Sequence, residues 1–336
     1  AEGTLTIGPA ILTGRAENQS RAYGGINPVF TVTYTGFVNG EEASLVTGAL
    51  VASSPAGTNS PVGNYPITVS GQSAPNYTID YVAGTLTVVP AALLVTADNA
   101  GRVYGQSNPV FTATISGLVN GEDANVLGGT LVLTSSAEAG SPPGNYPIVA
   151  SGLTATNYAI TFGNGTLTVT PGTLMVTADN QTRAYGAANA ALTGTVTGVQ
   201  NGDNLTASYT TLASASSGVG SYNIVPVLND PDNRLGNYSV TINNGTLTVT
   251  PAVLTVTAED QARRYGAANP PLTASYHGFV NGEDAGELSG SPSLSTTATA
   301  NSPVGLHPIT ATLGTLSAAN YQFALVNGIL TITQAS

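Results

Sequence analysis

The chain has 336 residues, of which only 7 % are charged, and its net charge is −11 with seven cationic residues, all arginine. So few cations exclude a nucleic-acid surface or an anionic membrane surface, both of which need clustered cations. Cysteine is absent, removing disulfides, thiol catalysis and cysteine-bound zinc; absent lysine removes isopeptide cross-links. No apolar run reaches membrane-spanning length, so no membrane insertion is expected in this segment.

A pattern of strand, proline and strand organises the chain. It reads GTLTIGPAILTGRA from Gly3, GTLTVVPAALLVTA from Gly84, GTLTVTPGTLMVTA from Gly165 and GTLTVTPAVLTVTA from Gly245. Pro9, Pro90, Pro171 and Pro251 lie 81, 81 and 80 residues apart, which marks a tandem array. The prolines set the expected repeats at 10–90, 91–171, 172–251 and 252–336, with 1–9 read as the end of a preceding repeat.

Within each repeat the first strand runs into an acidic turn and an Arg-x-Tyr-Gly step at Tyr23, Tyr104, Tyr185 and Tyr265. A second strand follows, alternating in the manner of a half-buried sheet. Next comes a Val-Asn-Gly-acid segment, such as GFVNGEEASLVTG from Gly36; Asn-Gly could turn a hairpin, but the acids and closing Gly predict a short helix. A third strand leads to Gly-x-Tyr (Tyr65, Tyr146, Tyr222, with His307 in the fourth repeat) and a fourth strand. An Asn-Tyr pair at Tyr77, Tyr158, Tyr238 and Tyr321 then opens two closing strands read as a β-hairpin.

The expected fold is mainly β: four small domains with one short helix each, β-grasp-like, the alternative being an immunoglobulin-like β-sandwich with Gly-x-Tyr as a corner tyrosine. The third repeat is five residues shorter between Tyr-Gly and Gly-x-Tyr, and regains four in NDPDNRL, Asn229–Leu235. Length varies in loops and holds in strands.

No set of residues converges as acid, base and nucleophile, so an enzyme is not expected. Four arginines share one repeat position, each four residues after an acid: Glu17 and Arg21, Asp98 and Arg102, Asp179 and Arg183, Glu259 and Arg263. They are expected as ion pairs bracing the Tyr-Gly turn. Asp230, Asp232, Asn233 and Arg234 form the candidate ligand-binding loop, in which Asp230 and Asp232 are candidate calcium ligands, although calcium needs six to eight oxygens. No other cofactor is expected.

Taken together, Arg-x-Tyr-Gly, Val-Asn-Gly-Glu-Asp, Pro-Val-Gly-x-Tyr-Pro-Ile, Asn-Tyr and the closing Gly-Thr-Leu-Thr-Val-x-Pro-Ala resemble the MBG-type repeats, Tyr-Gly variety, of large bacterial surface and secreted proteins. The resemblance covers all four repeats and is loosest in the third, where Asn189-Ala190 replaces Asn-Pro. It implies an extracellular stalk segment of a fibrillar adhesin or biofilm-matrix protein, presenting a distal binding domain and exported by two-partner or related routes. The alternative is a module that itself binds glycan or exopolysaccharide. Expected partners are neighbouring repeats of the same chain and host or matrix glycans. Repeats joined by proline rather than a Gly/Ser linker are expected to stack as a semi-rigid rod of about 130–160 Å, at about ten strand residues of 3.3 Å per repeat.

Overall fold

The computed structural model describes residues 2–335. They fall into two compact units, Ala1–Thr170 and Pro171–Ser336, and each unit contains two repeats of seven strands. In the first repeat these are β1 (Ala10–Ala16), β2 (Gln19–Ala22), β3 (Val32–Thr35), β4 (Val51–Ser53), β5 (Gly63–Ser70), β6 (Tyr77–Val82) and β7 (Gly84–Val89). One sheet has the order β3-β1-β6 and the other β2-β7-β5-β4, and the other three repeats have the same two orders.

Two layers replace the single mixed sheet of a β-grasp. Leu12 of β1 and Ile67 and Leu86 of β5 and β7 are buried, and Ala16, Ile67, Val69 and Leu86 form one apolar cluster between the sheets. Alternation in each strand points one row of side chains into that cluster and leaves the other row, rich in Thr, in solvent. The sandwich therefore matches the alternative expectation in its layers. Its strand pairing is mixed, since β1 runs parallel to β6 and β2 parallel to β7.

The last two strands do not form the expected hairpin. β6 pairs in one sheet and β7 in the other, so the chain crosses the sandwich between them. Gly84 stands at the crossing, where a Cβ would lie 2.6 Å from the Ala16 carbonyl oxygen; Gly165, Gly245 and Gly328 meet the same backbone in their own repeats. The glycine of Gly-Thr-Leu-Thr is thus set by the close approach of a neighbouring strand end.

The short helix is also corrected. Asn39 and Gly40 both have positive φ and Glu41 N–H donates to the Val38 carbonyl, so Asn-Gly turns the chain as in a type I′ turn. Only a three-residue 3-10 turn follows: Ala43–Leu45, Ala124–Val126 and Ala285–Glu287 in repeats one, two and four. Too few residues remain between the turn and the next strand pairing for a helix to propagate. In repeat three the 3-10 turn lies elsewhere, at Leu235–Asn237.

The corner tyrosine is present. Tyr65 donates to the Pro61 carbonyl at 2.8 Å, Tyr146 to Pro142 and Tyr222 to Gly218 at the same distance, and the His307 ring nitrogen lies 2.9 Å from the Pro303 carbonyl oxygen.

Gly165→Ala should lower stability by about 1–3 kcal/mol, the range for overpacking, because the Cβ would lie 2.5 Å from the Ala97 carbonyl oxygen. Urea denaturation reads the change; an unaltered midpoint would show that the strand end can move aside.

Candidate functional site at the repeat junction

Each repeat ends in a projecting loop pair organised by one buried arginine. Arg21 reaches inward from β2; its Nε donates to Asn27 Oδ1 at 2.7 Å, one terminal nitrogen to the Ala22 carbonyl and the other to the Gly57 carbonyl. Asn27 in turn donates to the Ala56 carbonyl at 2.7 Å. The guanidinium thereby ties the Tyr-Gly turn to the loop at 54–60. Arg102, Arg183 and Arg263 repeat the set with Asn108, Asn189 and Asn269. A buried cation needs its donors matched, and the fork of N–H groups meets an amide and two carbonyls without a carboxylate.

Within each unit the second repeat receives the projection of the first. In the first unit Tyr23 donates to Glu122 Oε1 at 2.6 Å, while Tyr158 donates to Oε2 of the same carboxylate. The two rings meet edge to face at 5.6 Å. Gly24, with φ of 81°, lies so close over Val119 that a Cβ would come within 2.4 Å of it. Val62 N–H donates to Asn157 Oδ1 at 3.1 Å and Asn120 to the Thr58 carbonyl at 3.4 Å. Beneath the polar contacts Tyr23, Val88, Ala91, Leu93 and Tyr158 form one buried cluster. It includes residues from both sides of Pro90, so the strand that ends one repeat and the strand that starts the next share a core.

The second unit builds the same junction. Tyr185 and Tyr321 both donate to Glu283, their rings 5.8 Å apart. Val219 N–H donates to Asn320 Oδ1 at 3.0 Å, Asn281 donates to the Ala215 carbonyl, and Gly186 lies over Val280. Tyr185, Val249, Ala252, Leu254 and Tyr321 form the buried cluster across Pro251.

A family model described as MBG domain (YGX type) matches residues 12–87, 93–168, 174–248 and 254–331. The chain belongs to this family. No curated protein matches it. Among solved structures, Drosophila N-cadherin EC1-4 is 9 % identical over 96 % of this chain and 99 % of its own, with a TM-score of 0.27. Sidekick-1 immunoglobulin domains 1–4 are 12 % identical over 98 % and 97 %, at 0.26. Yersinia pseudotuberculosis InvD is 13 % identical over 95 % and 97 %, at 0.18. Likeness at those scores is too slight to bear on function. The Tyr-Gly of the YGX type is the step that enters the junction.

In these MBG repeats the acids expected to pair with arginine do something else. Glu17 accepts the hydroxyls of Thr33 and Thr31, which hold its carboxyl below the ordinary value, and Asp98 accepts those of Thr112 and Thr114 with the same effect. Asp179 accepts Thr193 and Glu259 accepts Thr273. The predicted ion pairs Glu17–Arg21, Asp98–Arg102, Asp179–Arg183 and Glu259–Arg263 are replaced because the arginine points between the sheets while the acid lies beyond the strand turn on the exposed side.

The loop of Asp230, Asp232, Asn233 and Arg234 is a capped turn. Asp230 accepts the Arg234 and Leu235 N–H groups, each at 2.8 Å, one on each carboxylate oxygen, and Asn233 has φ of 54°. Asp232, Asn233 and Arg234 are exposed. No group of three or more His, Cys, Asp or Glu residues suited to a metal ion occurs among the described residues.

The role sequence reasoning missed is that of Glu122 and Glu283, which read as helix-start acids or as oxygen ligands for calcium. The signal was present: Tyr-Gly and Asn-Gly-acid recur in fixed phase.

Arg21→Lys should lower stability by about 2 kcal/mol, since an ammonium cannot span Asn27 and the two carbonyls; denaturation midpoints of both proteins test this. A second expectation concerns alkali. The bond to Glu122 and burial raise the Tyr23 hydroxyl, and burial with the bond to Glu122 raises Tyr158. Burial with the bond to Glu283 pushes Tyr321 up to about 12. An unfolded tyrosine ionises near about 10, so this contribution to stability is complete below pH 10 and is lost as pH rises through the folded values. The tyrosinate absorbance of the native chain should contain a component that titrates near 12, and Tyr321→Phe should remove part of it; a single ordinary titration would contradict the clasp.

Proposed function

We propose that this region is a non-catalytic extracellular spacer, a stalk segment of a bacterial adhesin or biofilm-matrix protein that presents a distal binding domain. One observation carries the reading: within each unit, successive repeats are joined by a proline step and the same tyrosine–glutamate–tyrosine clasp, with a shared core in place of a flexible linker. A junction of that kind transmits orientation from one repeat to the next. The recurrent charged groups are spent on this architecture, arginines on carbonyls and acids on tyrosine, threonine or backbone donors. Repeats bounded at the prolines then make a modular length of β structure. Membership of the MBG family supports a repeat-region role.

Small-angle scattering of the four-repeat chain is expected to give a maximum dimension of about 130–160 Å, from strand rise. A value near about 70 Å, that of a compact protein of this size, would overturn the spacer reading.

A second reading, a module binding glycan or exopolysaccharide, is favoured by an open recess of about 560 Å³ on repeat three, lined by Thr210, Thr211, Leu212, Ser221, Tyr222, Asn223 and Val225. Hydroxyls, an amide and an aromatic ring beside apolar groups suit a sugar. A glycan array read with and without calcium separates the readings: specific binding lost with Tyr222→Ala favours the module, and loss on altering Asn229–Leu235 places the site at the capped loop.

A further inference from the structure

The chain has no cysteine and no lysine, so neither a disulfide nor a lysine isopeptide bond can fasten one repeat to the next. It has 15 tyrosines, and within each unit the junction brings two of them together. Tyr23 of repeat one meets Tyr158 of repeat two with ring centroids 5.6 Å apart and planes at 80°. Tyr185 of repeat three meets Tyr321 of repeat four at 5.8 Å and 86°. All four residues are buried, 4–5 % exposed.

In each pair the two hydroxyls donate to the two oxygens of a single carboxylate, Glu122 or Glu283. The Cε carbons that flank each hydroxyl are therefore drawn toward one point. A phenol gives up an electron readily only where its proton can leave with it, and a carboxylate already holding that proton in a hydrogen bond is placed to take it. Glu122 and Glu283 are half-buried, so the proton can pass on to solvent. Burial of the rings does not oppose such an oxidation, because only an electron and a proton leave the site, and it keeps competing reactants from the radicals.

We propose that each of these two junctions is an oxidative cross-linking site, at which Tyr23 joins Tyr158, and Tyr185 joins Tyr321, as dityrosine. The co-reactant is hydrogen peroxide acting through a one-electron oxidant of the haem-peroxidase class. Each ring gives one electron to the oxidant and its phenolic proton to the shared carboxylate, which releases it to water. One ring turns about its Cβ–Cγ axis out of the edge-to-face arrangement, and the two tyrosyl radicals form a Cε–Cε bond. The hydrogens displaced from those carbons move to the oxygens and restore both phenols. Two electrons and two protons leave in all, and they reduce one peroxide to two waters. The bond closes a covalent loop through two repeats, so the junction stays joined when the hydrogen bonds of the clasp break, and the unfolded chain is constrained as by a disulfide. The inference rests on the junction geometry and holds whether or not the region is a spacer.

Photo-oxidation of the whole chain with tris(bipyridyl)ruthenium(II) and persulfate, a one-electron oxidant, tests this when followed by proteolysis and mass spectrometry of the linked peptides. Linkages of Tyr23 to Tyr158 and of Tyr185 to Tyr321 are expected. Each should be at least about tenfold more abundant from the native chain than from the chain unfolded in urea, since ring contact supplies the effective concentration. Tyr158→Phe keeps the ring and its packing; it should abolish the first linkage and leave the second. Tyr321→Phe should do the reverse, so each junction serves as the control for the other. Absence of both linkages while other tyrosines are oxidised overturns the proposal. So do equal yields from the native and unfolded chains.

Discussion

The architecture depends on a buried cation with no counter-ion. A guanidinium taken out of water between two sheets is unfavourable unless every donor is met, and here the donors are met by main-chain carbonyls and an asparagine amide. That requirement fixes where the loop at 54–60 runs relative to the Tyr-Gly turn, because the Gly57 carbonyl must lie within reach of the guanidinium. The same loop carries the Thr58 carbonyl and leads directly to the Val62 N–H, both of which bond the next repeat. Satisfying one charge inside a repeat therefore shapes the surface by which that repeat meets its neighbour.

The junction combines a short-range and a long-range device. Proline ends β7 and sends the chain at once into the next first strand, so Val88 and Leu93 lie in one apolar cluster without an intervening linker. This alone would leave rotation about the step. The carboxylate of Glu122, shared between hydroxyls from two repeats, removes that freedom, and its bonds are of the charge-assisted kind that carries more energy than neutral ones. The low charge content of the chain follows from the same economy. Outside the junction, the strand end is closed by a neutral group in three repeats: Asn18, Asn99 and Asn180 each accept the N–H of the second residue in the last strand of their repeat, at 2.7–2.8 Å, and Asp260 takes that place in repeat four.

Much of this was legible. Periodicity located the repeats, alternation located the strands, and Gly-x-Tyr before a strand identified the corner that Tyr65 and its counterparts make. The choice of two layers over one mixed sheet was not legible, because it rests on parallel pairings, such as Leu12 with Ile79 and Arg21 with Val88, that join strands 67 residues apart. Local spacing misled in two places. An acid four residues before an arginine suggests a pair, but the chain passes from one sheet to the other between Glu17 and Arg21, leaving the acid exposed and the arginine buried. Asn-Gly-Glu-Glu followed by Ala and Leu suggests a helix start, yet the segment must return to a sheet within a few residues. The partner of Tyr23 lies 99 residues away in the next repeat, beyond any window in which propensity operates.

Repeat three shows which parts of the design are fixed. Its loops are the most altered, with the shortened approach to Tyr222 and the Asp230-capped turn, and its Asn-Gly segment ends in Asp203 where the others have glutamate. The shorter acid still accepts the Tyr238 hydroxyl at 2.7 Å, and Gln200 N–H still donates to that hydroxyl. The half of the clasp that belongs to a single repeat thus survives loss of a methylene, because the type I′ turn, with Asn201 at φ of 54°, sets the direction of the acid. Direction comes from the backbone and reach from the side chain. A repeat can therefore change its loops and even its acid while keeping a receiving face in register, which is the condition for building long arrays from unequal copies.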